Sequence, residues 1–406
     1  MQTTYKAAAA YDVVVVGAGV AGIAAALAAA RRGHKTALVE KQTLIGGLAT
    51  SGLIYIYLPL DDGYGHQVIK GISEEMLKRC VEYGPFDVPE KWGGVVGGNP
   101  GIDGDRYRCC FSPAGFTLTL DKMLAEAGVD LWLDTVVTGT VCSNSEVKAL
   151  EVFNSSGRLR IDGKCFVDAS GCACVIQMAG NKVCREKNMV TPWVMEMAED
   201  ASFFHFTESL HVQGKWASMP ESEENAVKYG MVFDDCSSGK NVTEFIRKGW
   251  ELVRYRYKDV DPKKNYPVHL PAMPQLRKIA AAQCRTMLDD SSSFCYFEDS
   301  VGITGDWRSN LTVWETPFGS LVPENLDGVF AAGRCMGIIG EAWEVYRVIP
   351  SAAMTGEAAG IAAALTVEQN CSSRQLAWQS VQAELRKMNI PLHLDEVGLG
   401  EKYRNK

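Results

Sequence analysis

A glycine motif near the start of the chain could hold the diphosphate of a dinucleotide. Gly17, Gly19 and Gly22 have the spacing G-x-G-x-x-G; glycine lets the backbone approach a pyrophosphate, and a helix that begins there supplies amide donors. Glu40 follows at the spacing where a carboxylate accepts hydrogen bonds from a ribose diol. These residues predict a dinucleotide-binding unit, and they leave NAD and FAD as alternatives.

The sequence around the motif predicts the elements that position it. Residues 11–16 form a β-branched run, residues 21–32 are rich in alanine, and residues 36–40 predict a second strand. A strand, glycine turn, helix and strand in this order are typical of a parallel sheet. Later patterns predict helices at residues 113–128, 242–258 and 351–365. They also predict a hairpin turn at residues 155–157 and a strand that runs into a turn at residues 328–334.

Several other segments resemble the FAD-dependent oxidoreductases of the glutathione-reductase-like superfamily. Residues 40–47 carry an acid followed by a double glycine, and residues 135–137 resemble a strand that ends in valine. Residues 166–171 resemble a V-D-A-T-G strand, and residues 331–334 read A-A-G-R. Residues 347–360 resemble the approach to a final helix of small residues and the helix itself. The segments follow one another in the order found in that family. Where its members often carry acids after the V-D-A-T-G strand, this chain has Cys172 and Cys174.

The resemblance implies FAD as the cofactor, because an enzyme that binds only NAD has no use for a late strand and helix that return to the first domain. It also implies that the N-terminus of the final helix points at the flavin N1 and C2 carbonyl, where its dipole stabilises reduced flavin. The implied cofactor-binding residues are Gly17, Gly19, Gly22, Glu40, Lys41, Gly46, Gly47, Val137, Ala169, Ser170, Gly171, Gly333, Arg334, Ser351 and Ala352.

The fold class that the resemblance implies is α/β, with a Rossmann-like FAD-binding domain built on a parallel sheet and an inserted α+β substrate domain. We expect residues 1–183 to form the first part of the FAD-binding domain, with a loop region at 44–104. Residues 184–312 are then the substrate domain, and residues 313–406 return to the FAD-binding domain. No second G-x-G-x-x-G motif follows, so a built-in NAD(P)H domain is not expected.

The candidate catalytic residues are His66, Tyr64 and Arg347. His66 and Tyr64 lie in a loop whose position resembles a flavin-facing segment, and histidine exchanges protons near neutral pH. Its alternative is a loop histidine that satisfies backbone groups. Arg347 could clamp a carboxylate or a flavin carbonyl, or it could pair with Glu341 or Glu344.

Other residues have weaker claims to a place beside the substrate. Trp343 and Tyr346 could line the pocket or simply pack in the core. Arg277 and Lys278 could offer positive charge to an anionic substrate or belong to a solvated face.

Composition excludes several other classes of function. The net charge is −8 with no basic block, so nucleic acid is not an expected partner, and no apolar run is long enough to span a membrane. The thirteen cysteines are scattered, without C-x-x-C spacing, which favours a reducing cytoplasmic compartment and argues against a metal or iron–sulfur site.

These observations predict an FAD-dependent oxidoreductase that transfers a hydride between a small organic substrate and flavin N5. His66 would handle the proton, and Arg347 would orient the substrate. An external electron acceptor or donor is expected, and a homo-oligomer is compatible with the sequence. The alternatives are a reductase of an activated double bond and an electron-transfer subunit of a larger complex.

Overall fold

The computed structural model describes residues 5–92, 106–197, 204–207, 227–228, 230–310 and 312–400. The chain divides into two compact units. The first comprises residues 1–46, 56–184 and 280–406, and the second comprises residues 47–55 and 185–279. The predicted substrate domain, 184–312, thus ends later than the second unit does. Residues 280–312 join the first unit because β15 (Ala281–Ala282) pairs with β9 (Val183–Cys184), and β16 (Ser300–Gly305) pairs with β17 (Val313–Pro317).

A parallel sheet forms the framework of the first unit. Its parallel strands run in the order β5-β2-β1-β8-β18, the order of a Rossmann-like half, and an antiparallel pair, β7 and β6, continues the sheet from the first half of β8. The strand bounds are β1 Lys6–Val16, β2 Thr36–Val39, β5 Asp130–Trp132, β6 Val136–Ser143, β7 Glu146–Asn154, β8 Gly157–Asp168 and β18 Val329–Ala331. The α/β fold predicted for the cofactor-binding part is confirmed.

Two helices of small residues pack tightly on this sheet. They are α1 (Val20–Arg31) and α7 (Ile349–Glu368), which both carry alanine and glycine along their length. A Cβ atom on Gly356 would lie 2.1 Å from the Ala21 carbonyl oxygen, and one on Gly360 would lie 2.2 Å from the Ala25 carbonyl oxygen. Only glycine therefore permits this helix crossing, which fixes α7 against the first βαβ unit.

The remaining elements of the first unit surround these layers. They are α2 Ile72–Arg79, α3 Pro113–Glu126, α4 Cys174–Met178, α6 Gly340–Tyr346, α8 Trp378–Lys387 and the short pair β3 Ile56–Tyr57 with β4 Cys109–Cys110. The predicted loop region at 44–104 contains α2, and its residues 93–104 lie outside the described part of the chain. Helix α2 is not evident in the sequence because its N-terminus has no side-chain cap of its own. The carboxylate of Glu357, on α7, accepts the Ile72 amide instead.

The second unit is mixed in structure. Helix α5 (Gly239–Arg256) begins after Ser238, whose hydroxyl accepts the Asn241 amide, and its predicted position is confirmed to within three residues at each end. The strands are β10 Asn188–Met189, β11 Val194–Met197, β12 Phe204–Thr207, β13 Val232–Phe233 and β14 Tyr266–His269. Buried Val190, Phe245 and Leu276 belong to its small apolar core.

One bent pair of helices has the length and composition of a membrane span. Within the described residues, no single helix is both long and apolar enough to cross a bilayer. Helices α6 and α7 pass that test only when taken together, and they meet at an angle of 88°.

Candidate functional site

The carboxyl ends of neighbouring parallel strands meet at one edge of the sheet of the first unit. The Gly17 amide donates to the Val39 carbonyl at 2.8 Å, and the Ala169 amide donates to the Val16 carbonyl at 2.9 Å. The Ala332 amide continues the row by donating to the Asp168 carbonyl at 3.0 Å. Most of the predicted cofactor-binding segments therefore follow directly from adjacent strand ends, which is where open α/β sheets bind ligands.

The three motif glycines have different physical roles. A Cβ on Gly17, where φ is +95°, would lie 2.6 Å from Ser170 Cα, and a Cβ on Gly22 would lie 1.8 Å from the Gly17 carbonyl oxygen. Both glycines are thus required by the fold itself. A Cβ on Gly19 would meet nothing within 4 Å, so the described protein atoms give no reason for glycine there. An open space beside Gly19 fits a diphosphate that lies against the backbone.

Helix α1 leaves its first amides available to such a diphosphate. Its N-cap is Gly19, no side chain caps it, and its first turn carries no acid. These orphan amides and the positive end of the helix dipole favour an anion. The Gly46 amide donates to the Ala18 carbonyl at 2.7 Å, which places the start of the double glycine beside this turn. Gly47, with a φ of +58°, is the first residue of the segment 47–55, which belongs to the second unit.

Glu40 lies at the end of β2, and its carboxylate is almost fully buried. One oxygen accepts the Ala18 amide at 2.7 Å, and the other accepts the Gln42 amide at 2.9 Å. A carboxylate has about four acceptor positions, so two remain for a ribose diol. The Thr135 amide donates to the Glu40 carbonyl, which brings the strand that contains Val137 to the same place. Lys41 is exposed.

The turn after β8 is built around Asp168 and Ser170. The buried Asp168 carboxylate accepts bonds from the Ser170 hydroxyl at 2.6 Å and from the Ile176 amide at 3.1 Å, while burial raises the pKa of this carboxyl. The Gly171 amide donates to Cys335 Sγ at 3.0 Å. The turn after β8 is thereby tied to the turn after β18.

The segment after β18 and the start of α7 are held together by hydroxyl groups. The Gly333 amide donates to Thr355 Oγ1 at 3.0 Å, and a Cβ on Gly333 would lie 3.5 Å from the Ala352 Cβ. Arg334 is partly exposed, and its guanidinium lies against Gly171. Helix α7 has no side-chain cap and no acid in its first turn. This N-terminus can therefore stabilise negative charge on a bound group.

A histidine–aspartate pair lies in the loop after β3. His66 Nδ1 is 2.8 Å from Asp62 Oδ2, the Asp62 side chain has no exposed surface, and the His66 side chain is 35% exposed. Asp62 Oδ1 also accepts the amides of Tyr64 at 2.9 Å and of His66 at 3.0 Å. Because a carboxylate oxygen only accepts, Nδ1 carries the proton and Nε2 is the atom free to exchange one.

The loop that carries this pair is anchored next to the start of α7. Asp61 forms a 2.7 Å ion pair with Arg106, and the same guanidinium donates to the Asp61 carbonyl. A Cβ on Gly305, the last residue of β16, would lie 2.8 Å from the Asp61 carbonyl oxygen. The preceding residue, Thr304, bonds through its hydroxyl to the Ser351 hydroxyl at 2.7 Å. The end of β16 therefore contacts both the His66 loop and the first turn of α7.

The other candidate residues lie in plainer surroundings. Arg347 forms an ion pair with Glu344, one turn earlier, which is the structural alternative that the sequence left open. Tyr64 has an exposed ring. Tyr346 is fully buried, and its hydroxyl donates to the Glu315 carbonyl, whereas Trp343 is fully buried with an indole N–H that has no hydrogen-bond partner among the described residues.

The two basic residues proposed for the inserted region also have partners. Lys278 forms a 2.8 Å ion pair with Glu186, and Arg277 donates to the Gln275 carbonyl.

Sequence reasoning missed the contact of Asp62 with His66, although aspartate and histidine four residues apart in a loop were a usable signal for it. At the turn after β8, a hydrogen bond with Cys174 lowers the pKa of the Cys172 thiol to about 6. Among the described residues, no group of three or more His, Cys, Asp or Glu side chains could hold a metal ion.

Comparison with known families gives one match over most of the chain. The model of the family described as FAD dependent oxidoreductase matches residues 12–283 and 296–385. Both matched stretches include strand ends and turns of the site, from Gly17 through Ser170 to Ala352.

Curated relatives match a smaller part. A digeranylgeranylglycerophospholipid reductase of Picrophilus torridus is 28% identical over 174 residues, which are 40% of this chain and 39% of that protein. An NADH:fumarate oxidoreductase of Klebsiella pneumoniae is 29% identical over 189 residues, 40% of this chain and 20% of that protein. The chain thus matches about two fifths or less of either relative's length.

A solved structure extends over nearly the whole chain. It is a geranylgeranyl bacteriochlorophyll reductase-like protein from Thermoplasma acidophilum, 16% identical, and the superposition covers 98% of this chain and 88% of that one with a TM-score of 0.48.

Proposed function

The chain belongs to the FAD-dependent oxidoreductase family and binds FAD, and we propose that it reduces an activated carbon–carbon double bond in a small organic acceptor, with His66 as the proton donor. FAD, when bound, supplies the hydride from N5 of its reduced form. The residues that would hold the cofactor are those at the strand ends: Gly19 and the first turn of α1 at the diphosphate, Glu40 at the ribose, and the start of α7 at the flavin ring.

The observation that carries the proposal is the His66–Asp62 contact. The Asp62 carboxylate accepts a hydrogen bond from Nδ1–H of His66 at 2.8 Å. Two backbone amides donate to the same carboxylate and hold it in place. A positioned histidine of this kind commonly contributes about 100-fold to 10,000-fold to a proton-transfer step. In the proposed reaction the hydride adds to one alkene carbon, and Nε2–H of protonated His66 delivers the proton to the other. The double bond is reduced by two electrons, and His66 regains its proton from water.

The position of the loop supports a role beside the flavin. Both the His66 loop and the first turn of α7 contact the end of β16 through Asp61–Gly305 and Thr304–Ser351. In the superfamily that the sequence resembles, the N-terminus of this last helix faces the flavin ring. His66 therefore lies on an element held close to the part of the site where hydride transfer would occur.

The activities for which two relatives are named support reduction, rather than oxidation, of the substrate. One is a digeranylgeranylglycerophospholipid reductase, and the other is an NADH:fumarate oxidoreductase. Fumarate contains a double bond activated by carboxylates, which is the class of acceptor we propose here. Electrons would come from an external donor, since the sequence contains no second G-x-G-x-x-G motif.

An anaerobic half-reaction tests the proposal. FAD-loaded protein is reduced photochemically, and fumarate, cyclohexenone or crotonyl thioester is added while the visible flavin absorption is recorded. At least one of these compounds should restore the absorption of oxidised flavin. The opposite screen adds sugars, amino acids and hydroxy acids to the oxidised protein. Bleaching by one of these donors, with no response to any alkene, would make the enzyme a dehydrogenase and overturn the proposal.

A further inference from the structure

The second unit contains an apolar cavity that is separate from the residues assigned to the flavin site. Its volume is about 190 Å³, and helix α5 contributes one face to it through Phe245, Ile246, Gly249, Trp250 and Val253. The spacing of these positions is that of adjacent turns of a helix. The opposite wall comes from two segments, residues 190–192 and 270–275.

The chemistry of the lining favours a hydrocarbon. None of the described lining residues carries a charge. The most polar of them, Gln275, already uses its amide group: its oxygen accepts the Trp193 amide at 2.9 Å, and its nitrogen donates to the Gly52 carbonyl. A polar ligand would therefore find few groups to replace its bonds to water, which disfavours its entry.

Gly249 provides an independent indication that the cavity is kept open. It lies in the interior of α5, where glycine costs roughly 1 kcal/mol relative to alanine. Its backbone does not have a positive φ, and a Cβ there would lie 3.9 Å from the nearest atoms, on Pro192 and Val190. Neither conformation nor packing requires glycine at this position. A larger side chain would, however, occupy part of the cavity.

The walls are also pre-organised. Pro192, Pro271 and Pro274 all line the cavity, and proline fixes φ and limits collapse of the segment that contains it. The Ala272 amide is bonded to the Ser51 carbonyl at 2.8 Å, which ties down the 270–275 wall. Trp250, beside Gly249, is 44% exposed, so an indole borders the cavity on the side that solvent reaches.

We infer that this cavity is a binding site for a hydrocarbon group about the size of a single aromatic ring. An apolar protein cavity of about 150 Å³ is large enough to bind benzene, and this one is slightly larger. The ligand is either a compact apolar molecule or the apolar part of a larger one. Binding in this cavity does not depend on His66 or on any step of the redox reaction.

Fluorine NMR of fluorobenzene in the presence of the oxidised, FAD-loaded protein tests the inference. Fluorobenzene should bind saturably and be displaced by toluene, while fluoroacetate, a polar probe, should not bind. Gly249→Leu fills the cavity and should weaken fluorobenzene binding by about tenfold or more. Arg247→Leu, which adds the same side chain at an exposed position of α5, should leave binding unchanged.

Gly249→Ala serves as a second variant that the fold can accommodate, because its Cβ has ordinary contact distances. It should keep the fold and weaken binding severalfold. The inference is overturned if wild-type protein does not bind fluorobenzene saturably, or if Gly249→Ala and Gly249→Leu bind it as tightly as Arg247→Leu does. No turnover is needed, so a failure here is distinguishable from a failure of the His66 proposal.

Discussion

Nδ1 of His66 lies 2.8 Å from Oδ2 of Asp62, a carboxylate with no exposed surface. Two backbone amides of the same loop bind the other oxygen of that carboxylate, so the acceptor is fixed before the imidazole meets it. This arrangement selects one tautomer and leaves Nε2 as the nitrogen that can exchange a proton. It is the geometry that the proposed role of His66 as a proton donor requires.

Replacing Asp62 by asparagine should reduce activity without abolishing flavin binding. The amide removes the charge that holds Nδ1–H, so both imidazole tautomers become populated, and we expect kcat to fall by about tenfold to 100-fold. Nitrogen NMR of the imidazole should show the mixture of tautomers directly. An unchanged NMR signature together with unchanged kcat would reduce Asp62 to a structural role.

A matched control is available in the same unit. His393 Nδ1 lies 3.1 Å from Glu315 Oε2, and burial raises the pKa of that carboxyl. This pair joins the C-terminal segment to β17 and has no proposed part in catalysis. His393→Gln should lower the thermal stability but leave the pH profile of kcat/KM unchanged.

Gly19 and Gly22 should respond in opposite ways to substitution. A Cβ at Gly19 enters open space, so Gly19→Val should fold normally but bind FAD at least about tenfold more weakly, because the side chain occupies the diphosphate position. A Cβ at Gly22 would overlap the Gly17 carbonyl, and Gly22→Ala should lower the free energy of unfolding by roughly 2 kcal/mol or more. Isothermal titration with FAD and urea unfolding separate the two effects. Tight FAD binding by the Gly19 variant would contradict the assignment of that space.

Glu40→Gln should weaken FAD binding while leaving the chain folded. The amide offers one acceptor oxygen in place of a carboxylate that already serves two backbone amides. Loss of charged hydrogen bonds to the ribose should raise the Kd for FAD by about tenfold to 100-fold. Glu126→Gln, which removes an exposed carboxylate of α3, is the control and should bind FAD normally. Equal affinities in the two variants would remove Glu40 from the cofactor site.

Glu357 makes the stability of the first unit depend on pH. Burial raises the pKa of this carboxyl to about 8, and its oxygen accepts the Ile72 amide at the start of α2. Between the ordinary glutamate pKa of about 4.3 and the folded value, the folded state holds a proton that the unfolded state has released, so the free energy of unfolding falls as pH rises.

Glu357→Gln should remove that dependence, because glutamine keeps the acceptor oxygen without a charge. The variant should match the wild type near pH 5 and exceed its free energy of unfolding by roughly 2–4 kcal/mol near pH 9. Urea unfolding of FAD-saturated protein at several pH values measures the difference. A difference between the variant and the wild type that stays constant from about pH 5 to about pH 9 would show that folding does not shift the pKa of Glu357.

Local patterns predicted the elements whose signals lie within a few residues. The strand before Gly17, helix α1, the strand ending at Glu40, and helix α7 were all located from periodicity and glycine positions, because each is stabilised by burial of a continuous apolar run. The position of Glu40 was predictable as well, because the register between β1 and β2 fixes it.

Features that depend on distant segments were not predictable in this way. Helix α2 is capped by Glu357, 285 residues further along the chain. The end of the second unit near residue 279 depends on the pairing of β15 with β9 and of β16 with β17. The apolar cavity is formed by three segments that only the tertiary fold brings together.

The role of His66 is tested most directly by single-turnover oxidation of reduced flavin by an alkene acceptor, compared between wild type and His66→Gln under anaerobic conditions. Both proteins should be yellow and fully reducible, but the variant should reoxidise about 100-fold or more slowly. His393→Gln should behave as the wild type. Equal reoxidation rates for His66→Gln and wild type would remove His66 from the proton-transfer step.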